Sequence, residues 1–533
     1  MRVNTTLTAR IFQVLFYGLC VLYIIFYMPY GLEGTDTGYI FGSSWNIYNG
    51  ELPHRDFIYT RPAIPAFFHT IFLFISETYG YVLDRSFFYI QVFFYSFLGA
   101  KLLTEHFSIE SKTTLYYLAI IGALVSIHNY PPMGWNTIDG IFFWMIGIFL
   151  FLKLKTSKLA LFFGVLFMIL GTFSKQSFYF MPFFLGLYLL LTKDWYRLKY
   201  YILFGVLWLG LYIGFKALTG SLTPLLEQTF TRTEGGSLYS AGVRSYWLAV
   251  KFNYAYIALA IFMALMGLFL GKRKLGYLVL NIIIITAFIS MYQQEDSIRV
   301  VKSSLLQVLF IIAVIHGLFM LRKNTKYLLL FLLLSLSWSA SISGGFKTPI
   351  LFSLPIVFGL YDLYFTKDRS ENKITYSVYG LTIIGFLVTF FIGYQTIYRD
   401  SDREQLTYSM GEIFPQLTTI KSDQETYEKY TELKELASEY SNFTVLPTVT
   451  LAHYLTKTVN PIGTDWPHDV EINYKAKDLF SELKAKNSVV FIEKTEFSEK
   501  DFMDYELLKL VKANWYLIEE TNQFEVYSPS LKR

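Results

Sequence analysis

Cysteine is almost missing from this 533-residue chain: Cys20 stands alone, so neither a disulfide framework nor a cysteine-built metal site within one chain is possible. Charge is scarce as well. Asp, Glu, Lys and Arg make up 16% of the residues, against roughly 25% in an average soluble protein, which excludes an ordinary water-soluble domain over most of the length. Of the 7 histidines, His54 and His128 belong to no ligand constellation recognisable from spacing, so no metal site is expected. No internal repeat or low-complexity tract is evident, and no small-residue cleavage pattern follows the first apolar run. That run, Ile11 to Tyr30, is therefore expected to be an uncleaved first span preceded by Arg2 and Arg10.

What the chain does have is apolar and aromatic surface. Hydrophobic residues are 53% and aromatics 19%, with 51 Phe and 42 Tyr, a composition suited to lipid and to the headgroup level where amphipathic rings settle. The fold class expected is a polytopic α-helical membrane protein of about thirteen spans, several of them short for a bilayer. After the first, the runs are Ser86–Leu103, Thr113–His128, Ile138–Leu154, Leu159–Phe173, Phe178–Leu191, Tyr200–Phe215 and Trp247–Leu270, then Leu275–Met291, Leu305–Leu321, Tyr327–Ser341, Pro349–Phe365 and Tyr376–Tyr394. Pro62 to Ser76 is also apolar, but it is short and interrupted by Pro65 and His69, so it reads as interfacial or re-entrant.

Leaving that segment uncrossed makes a testable pattern. Five short loops then fall on the cytoplasmic side, carrying Lys153, Lys155 and Lys158; Lys193, Arg197 and Lys199; Lys272, Arg273 and Lys274; Arg322, Lys323 and Lys326; and Lys367, Arg369 and Lys373. Short basic loops belong inside. The opposite loops, Glu33–Arg61, Asn129–Asp139, Lys216–Tyr246, Tyr292–Ser304 and Ser343–Thr348, are mostly longer and mixed or acidic. The expected localisation is the cytoplasmic membrane, with the N-terminus inside and the C-terminal region outside.

After Tyr394 the hydropathy collapses. Residues 395–533 read as one extracytoplasmic α/β domain following a transmembrane domain over 1–394. Asp423–Tyr440 has helical spacing, Phe443–Leu446 and Val489–Ile492 read as short buried strands, and Tyr474–Lys486 and Ser498–Val511 as helices. Trp515–Glu519 and Phe524–Tyr527 form a hairpin pattern across Thr521-Asn522.

Chemistry concentrates in the first outer loop, residues 31–85. Glu33-Gly34-Thr35-Asp36-Thr37-Gly38-Tyr39 follows the first membrane exit, and a carboxylate beside lipid is costly enough to be a functional-site hypothesis by default. Asp36 to Asn49 fits a short interfacial helix with Asp36 as N-cap and Gly50 as its stop. On the same side of the membrane the topology collects Arg55, Asp56, Arg61, Asp139, Lys175, Gln176, Arg244 and Arg299, with Arg232, Glu295, Asp296 and Lys347. A carboxylate base with several cations is what group transfer from an anionic lipid carrier needs: the base takes a proton and the cations stabilise the leaving phosphate. Several of these residues also have structural readings. Asp36 caps a helix, Lys175 snorkels to headgroups, Asp139 caps its own span, and Arg55 with Asp56 fixes the loop after Pro53.

Asp36-Thr37-Gly38-Tyr39 followed by Gly50-Glu51-Leu52-Pro53-His54-Arg55-Asp56-Phe57 resembles the first outer loop of the GT-C glycosyltransferases, a family that includes protein O-mannosyltransferases and the lipid A aminoarabinose transferase. Asn136-Thr137-Ile138-Asp139, Gly171-Thr172-Phe173-Ser174-Lys175-Gln176 and the C-terminal domain resemble the family too. The resemblance implies transfer of a sugar from a polyprenyl-phosphate donor to a glycan, lipid or protein acceptor, with Asp36 as catalytic base. Arg55, Asp56, Arg61, Asp139, Lys175, Gln176, Arg244 and Arg299 are implied as substrate contacts. Where the family commonly has Asp-Glu or Asp-Asp, this chain has Asp36-Thr37, so a second carboxylate would have to come from Glu33 or Asp56. No cofactor is expected, a divalent metal stays open, and no nucleic-acid partner is expected. The competing readings are a lipid-linked glycan flippase or secondary transporter, and a non-catalytic scaffold that binds the lipid carrier.

Overall fold

The computed structural model describes residues 5–32, 36–127, 134–154, 157–230, 235–252, 254–255, 258, 262, 273–292, 304–342, 346, 349–365, 372–395, 397, 400–469, 475–494 and 505–531. The side chains of Asp36 and Thr37, and all of Glu33, His128, Lys155, Arg232, Lys272, Glu295, Asp296, Arg299, Lys347, Lys367 and Arg369, lie outside the described residues.

The apolar runs fold as helices: α1 (Thr5–Tyr27), α2 (Asp36–Tyr48), α3 (Ile64–Ile75), α4 (Gly80–His106), α5 (Lys112–Ile127), α6 (Asn136–Lys153), α7 (Lys158–Thr172), a 3-10 turn at Gln176–Phe180 leading into α8 (Met181–Leu191), and α9 (Trp195–Leu218). They continue with α10 (Leu222–Phe230), α11 (Gly235–Phe252), α12 (Arg273–Tyr292), α13 (Ser304–Leu321), α14 (Tyr327–Ser341), α15 (Leu354–Phe365) and α16 (Lys373–Gly393). Among the described residues, Thr6–Tyr27, Gly80–His106, Asn136–Lys153 and Trp195–Leu218 are long and apolar enough to cross a membrane, and the other apolar helices are shorter. In α9 only 6% of the most apolar window is buried, so Ile202, Val206 and Leu211 form surface that suits lipid and not water.

One expectation changes. The loop Lys216–Tyr246 is largely helical, since α10 and most of α11 lie within it; its apolar and small residues recur at helical spacing between the polar ones, and hydropathy alone hides this. The expected span Trp247–Leu270 overlaps α11 only at its start, and most of it lies outside the described residues. By contrast α3, at 12 residues, is about 18 Å long at 1.5 Å per residue, well short of a bilayer core of about 30 Å. It lies against α2, where Ser44 Oγ donates to Ala66 O (2.9 Å), and it turns Phe74 and Ile75 outward.

The helix ends sort by charge. His106 at the end of α4 bonds Lys326 O before α14, Lys153 at the end of α6 pairs with Glu105, and Arg197 at the start of α9 donates to Leu152 O (2.7 Å). Lys274 reaches Asn372 at the start of α16 (3.5 Å). Described members of the basic loops thus meet at one end of the bundle.

At the other end the chain leaves α1 through Met28–Leu32. Arg85, buried in the second turn of α4, donates to the carbonyls of Met28 (2.7 Å), Tyr30 (2.9 Å) and Gly31 (2.8 Å). Arg403 donates to Phe26 O (2.7 Å) and lies 3.9 Å from the Tyr30 ring centre, while Asp400 accepts from Leu32 N (2.7 Å). The two arginines satisfy carbonyls at and just past the end of α1, and Asp400 takes the Leu32 N–H.

The C-terminal region carries β1 (Tyr408–Ser409) paired antiparallel with β2 (Lys421–Ser422), and α17 (Gln424–Glu439) capped by Asp423. A four-stranded sheet follows, built from β3 (Phe443–Leu446), β4 (Val489–Glu493), β5 (Tyr516–Glu520) and β6 (Phe524–Ser528) in the order β3-β4-β6-β5. Strands β3 and β4 run parallel, so they need a crossover, which contains α18 (Ala452–Thr456) and α19 (Ala476–Ala485). Helix α20 (Glu506–Asn514) leads into the β5–β6 hairpin, as the apolar pattern anticipates.

Candidate active site

The first loop is built from turn chemistry. Helix α2 stops at Gly50, whose φ of +92° is costly for other residues; Gly50 N bonds Ile47 O and Glu51 N bonds Asn46 O, closing the helix carbonyls. The helix begins at Asp36, which puts its cap at position 35, outside the described residues; such ends shift by a residue or two between definitions. Beyond Gly50, Asp56 Oδ2 accepts from Leu52 N (2.7 Å), and Arg55 grips the same carboxylate with Nε and Nη2, both at 2.7 Å. The Arg55 guanidinium holds the Asp56 carboxyl below the usual range. Both side chains are partly open to solvent, and their pairing fixes the loop.

His54 is the pivot of that loop. It is buried, with φ at +75°. Its Nε2 bonds Arg61 O (3.0 Å), its Nδ1 faces Lys216 Nζ (3.3 Å), and Gln228 Nε2 donates to its carbonyl (3.0 Å). Burial, then the Lys216 ammonium, pushes its pKa down to about 3, so His54 is neutral: Nε2–H donates to Arg61 O and Nδ1 accepts from Lys216. Gln228 also accepts from Tyr59 N (2.9 Å), which joins α10 to the loop.

Around this pivot the expected cations converge in part. Arg61 lies over the Tyr39 ring at 4.8 Å; Tyr39 stacks on Tyr59 at 5.2 Å and is one helical turn from position 36. Gln176 Nε2 donates to Thr60 O (2.7 Å). Lys175 is not a snorkelling side chain: it is buried, with Nζ donating to Thr137 Oγ1 (3.0 Å) and lying 4.9 Å from the Trp135 ring centre. Asn136 Nδ2 reaches Tyr59 OH (3.4 Å), and its buried Oδ1 has no partner among the described residues. Arg61, Gln176, Lys175, Asn136 and the head of α6 are thus one neighbourhood. Arg55 faces the other way, toward Thr219 O (3.4 Å), Arg244 is exposed on α11, and Arg299 lies outside the described residues.

Asp139 is wholly buried, and both oxygens are engaged: Oδ2 with His69 Nε2 (2.9 Å) and Oδ1 with Gln91 Nε2 (2.8 Å). His69 Nδ1 bonds Asp84 Oδ1. Burial opposes a charge on His69, but Asp139 and Asp84 outweigh it and raise its pKa to about 10, so both ring nitrogens donate. The sequence reading met His69 only as an interruption in an apolar run and passed over Asp84 and Gln91. The signal was a set of polar residues inside helices that should be apolar.

The C-terminal region seats on the same end. Trp45 Nε1 donates to Thr458 O (2.8 Å), Ile58 N to Gly463 O (2.7 Å), and Asn46 Nδ2 to Asp465 Oδ2 (3.1 Å). A side chain at Gly38 would strike Thr450, and one at Gly42 would come within 2.6 Å of the Thr450 carbonyl, so these glycines permit the close approach. Burial pushes the Asp465 carboxyl up to about 6; burial, then Asp465 and Asp56, pushes Glu51 to about 7. Among the described residues no group of three His, Cys, Asp or Glu side chains forms a metal cluster.

No protein-family model matches the chain, and no curated protein matches it. Among solved structures, the chain is similar to the crystal structure of ArnT from Cupriavidus metallidurans in the apo state, at 10% identity and a TM-score of 0.44, over 97% of this chain and 98% of that one. A likeness this distant carries no conclusion about chemistry.

Proposed function

We propose that this chain is an integral-membrane glycosyltransferase that moves a sugar from a polyprenyl-phosphate donor to an acceptor, at the end of the bundle where the C-terminal region seats. The observation that carries this reading is the buried Lys175 ammonium at the head of α6, in one neighbourhood with Arg61, which lies over Tyr39, one helical turn of α2 from position 36. A buried cation held on a hydroxyl and an aromatic face suits the stabilisation of a leaving phosphate. In this reading Asp36 deprotonates the acceptor hydroxyl, which attacks the anomeric carbon. The carbon–oxygen bond to the lipid phosphate breaks, and Lys175 and Arg61 stabilise the charge left on that phosphate. Asn136 Oδ1 accepts a hydroxyl of the donor sugar, and the C-terminal region positions the acceptor.

The test is transfer by the purified protein from a radiolabelled polyprenyl-phosphate sugar, guided by which lipid-linked sugar accumulates in cells lacking the chain. Asp36→Asn keeps the size of the side chain and removes the base, so transfer should fall by about 100 to 10,000-fold while protein level and donor binding persist. An Asp36→Asn protein as active as wild type would remove Asp36 from the mechanism.

A further inference from the structure

The chain Asp84–His69–Asp139–Gln91 links α4, α3 and α6 with every ring nitrogen of His69 and both oxygens of Asp139 in use. It is wholly buried: His69, Asp84, Gln91 and Asp139 are each at most 1% exposed. Charged and polar groups are costly to bury and need a reason to be there. The network does not merely hold helices together, because of where it ends. Asp139 is in the first turn of α6, and two residues before it Thr137 receives the Lys175 ammonium (3.0 Å). Gly134, which leads into that turn, runs so close to the network that a Cβ there would stand 2.8 Å from both Asp84 Oδ2 and His69 Cε1. The backbone carrying Trp135, Asn136 and Thr137 is thus fitted against His69 and Asp84 on one side and presents Lys175's partners on the other. The formal charges agree with this: two carboxylates and one imidazolium leave one negative charge, and the nearby Lys175 ammonium is of opposite sign.

We propose that His69 and Asp84 are positioning residues: through Asp139 they lock the first turn of α6 and so set the place and orientation of the Lys175 ammonium where an anionic phosphate binds. This deepens the proposed function and rests on it for the identity of the ligand. Neither residue touches the ligand. Their removal should therefore act through Lys175 and be silent once Lys175 is gone.

The experiment is a double-mutant cycle in the purified protein, read in two ways: binding of a polyprenyl phosphate in detergent, and the thermal unfolding midpoint without ligand. His69→Gln alone should weaken polyprenyl phosphate binding by about tenfold, and Asp84→Asn by a few-fold. Combined with Lys175→Met, either change should add less than twofold to the loss of Lys175→Met alone. In unfolding, His69→Gln and Lys175→Met should be non-additive, whereas His69→Gln and Lys101→Met, at the opposite end of α4, should be additive. If His69→Gln does not fold, Asp84→Asn supplies the same cycle. Additive losses with Lys175→Met in both readouts would overturn the proposal. If the wild-type protein binds no polyprenyl phosphate, the proposed function fails, and the unfolding cycle still decides whether the network reaches Lys175.

Discussion

Two buried histidine–carboxylate groups occupy opposite ends of the helix bundle, and their difference separates structure from candidate function. At the basic end, His316 Nε2 bonds Asp362 Oδ2 (3.0 Å), and Tyr327 OH donates to the same oxygen. His316 and Tyr327 share one carboxylate oxygen, and Tyr327 packs on Phe107 at 4.9 Å. At the other end one histidine stands between two carboxylates, and the network runs on to a buried lysine and an asparagine with an unpartnered oxygen. A histidine buried with a carboxylate is thus no signal of chemistry by itself. A buried lysine and an unfilled acceptor beside it are what mark the second group.

The comparison of ends can be broken outright by topology. In a Cys20→Ser background, a cysteine at exposed Lys323 should be shielded from an impermeant thiol reagent in intact cells, and one at exposed Glu428 should be fully labelled. The reverse pattern would put the basic end outside. Lys274 and Ser422 are buried and would report on packing.

Next in size is Lys175. Lys175→Met should cut transfer by about 100-fold, as removing one preorganised charge donor does, with Lys175→Arg intermediate because the charge stays and its geometry changes. Transfer at the wild-type rate would reduce Lys175 to a packing residue. At the basic end the expectation is opposite. His316→Gln should lower unfolding stability by about 1–3 kcal/mol while transfer per folded molecule stays within twofold. A large loss of transfer there would erase the distinction between the two groups.

The smallest effect concerns the seat of the C-terminal region. The Asp465 carboxyl is raised from 3.8 to about 6 in the folded protein, so the folded state binds more protons than the unfolded state between those values. Stability is therefore lost as pH rises from about 4 to about 6, and stays lower above that. Asp465→Asn removes the titration and should flatten this fall by about 1–3 kcal/mol, measured as unfolding midpoints across the window. An unchanged slope would mean that another group titrates there.

The order of helices was legible because lipid-facing runs are apolar throughout, and the shortness of α3 was legible from Pro62 and Ser76 bounding its apolar run. The strands Phe443–Leu446 and Val489–Glu493 and the closing hairpin could be read from short β-branched and aromatic runs between turn residues. The network was not, because its members are 22, 7 and 48 positions apart along the chain from His69 to Gln91, Gln91 to Asp84 and Gln91 to Asp139, and only packing brings them together. Arg85 and Arg403 were equally hidden, since a carbonyl cluster has no signature in side chains. The helix within Lys216–Tyr246 was missed because its polar residues mask the helical period.

The clasp on the first membrane exit sets an order of assembly. Leu32 and Phe26 are held by residues 368 and 377 positions later in the chain, so the first loop lacks these holds until synthesis has passed Arg403. At 5–20 residues per second that is a delay of roughly 20–75 s after the loop is made. A chain stopped short of residue 400 should still insert its helices yet leave the loop open to limited proteolysis. The growing polypeptide would carry an unclasped first loop through most of its own synthesis.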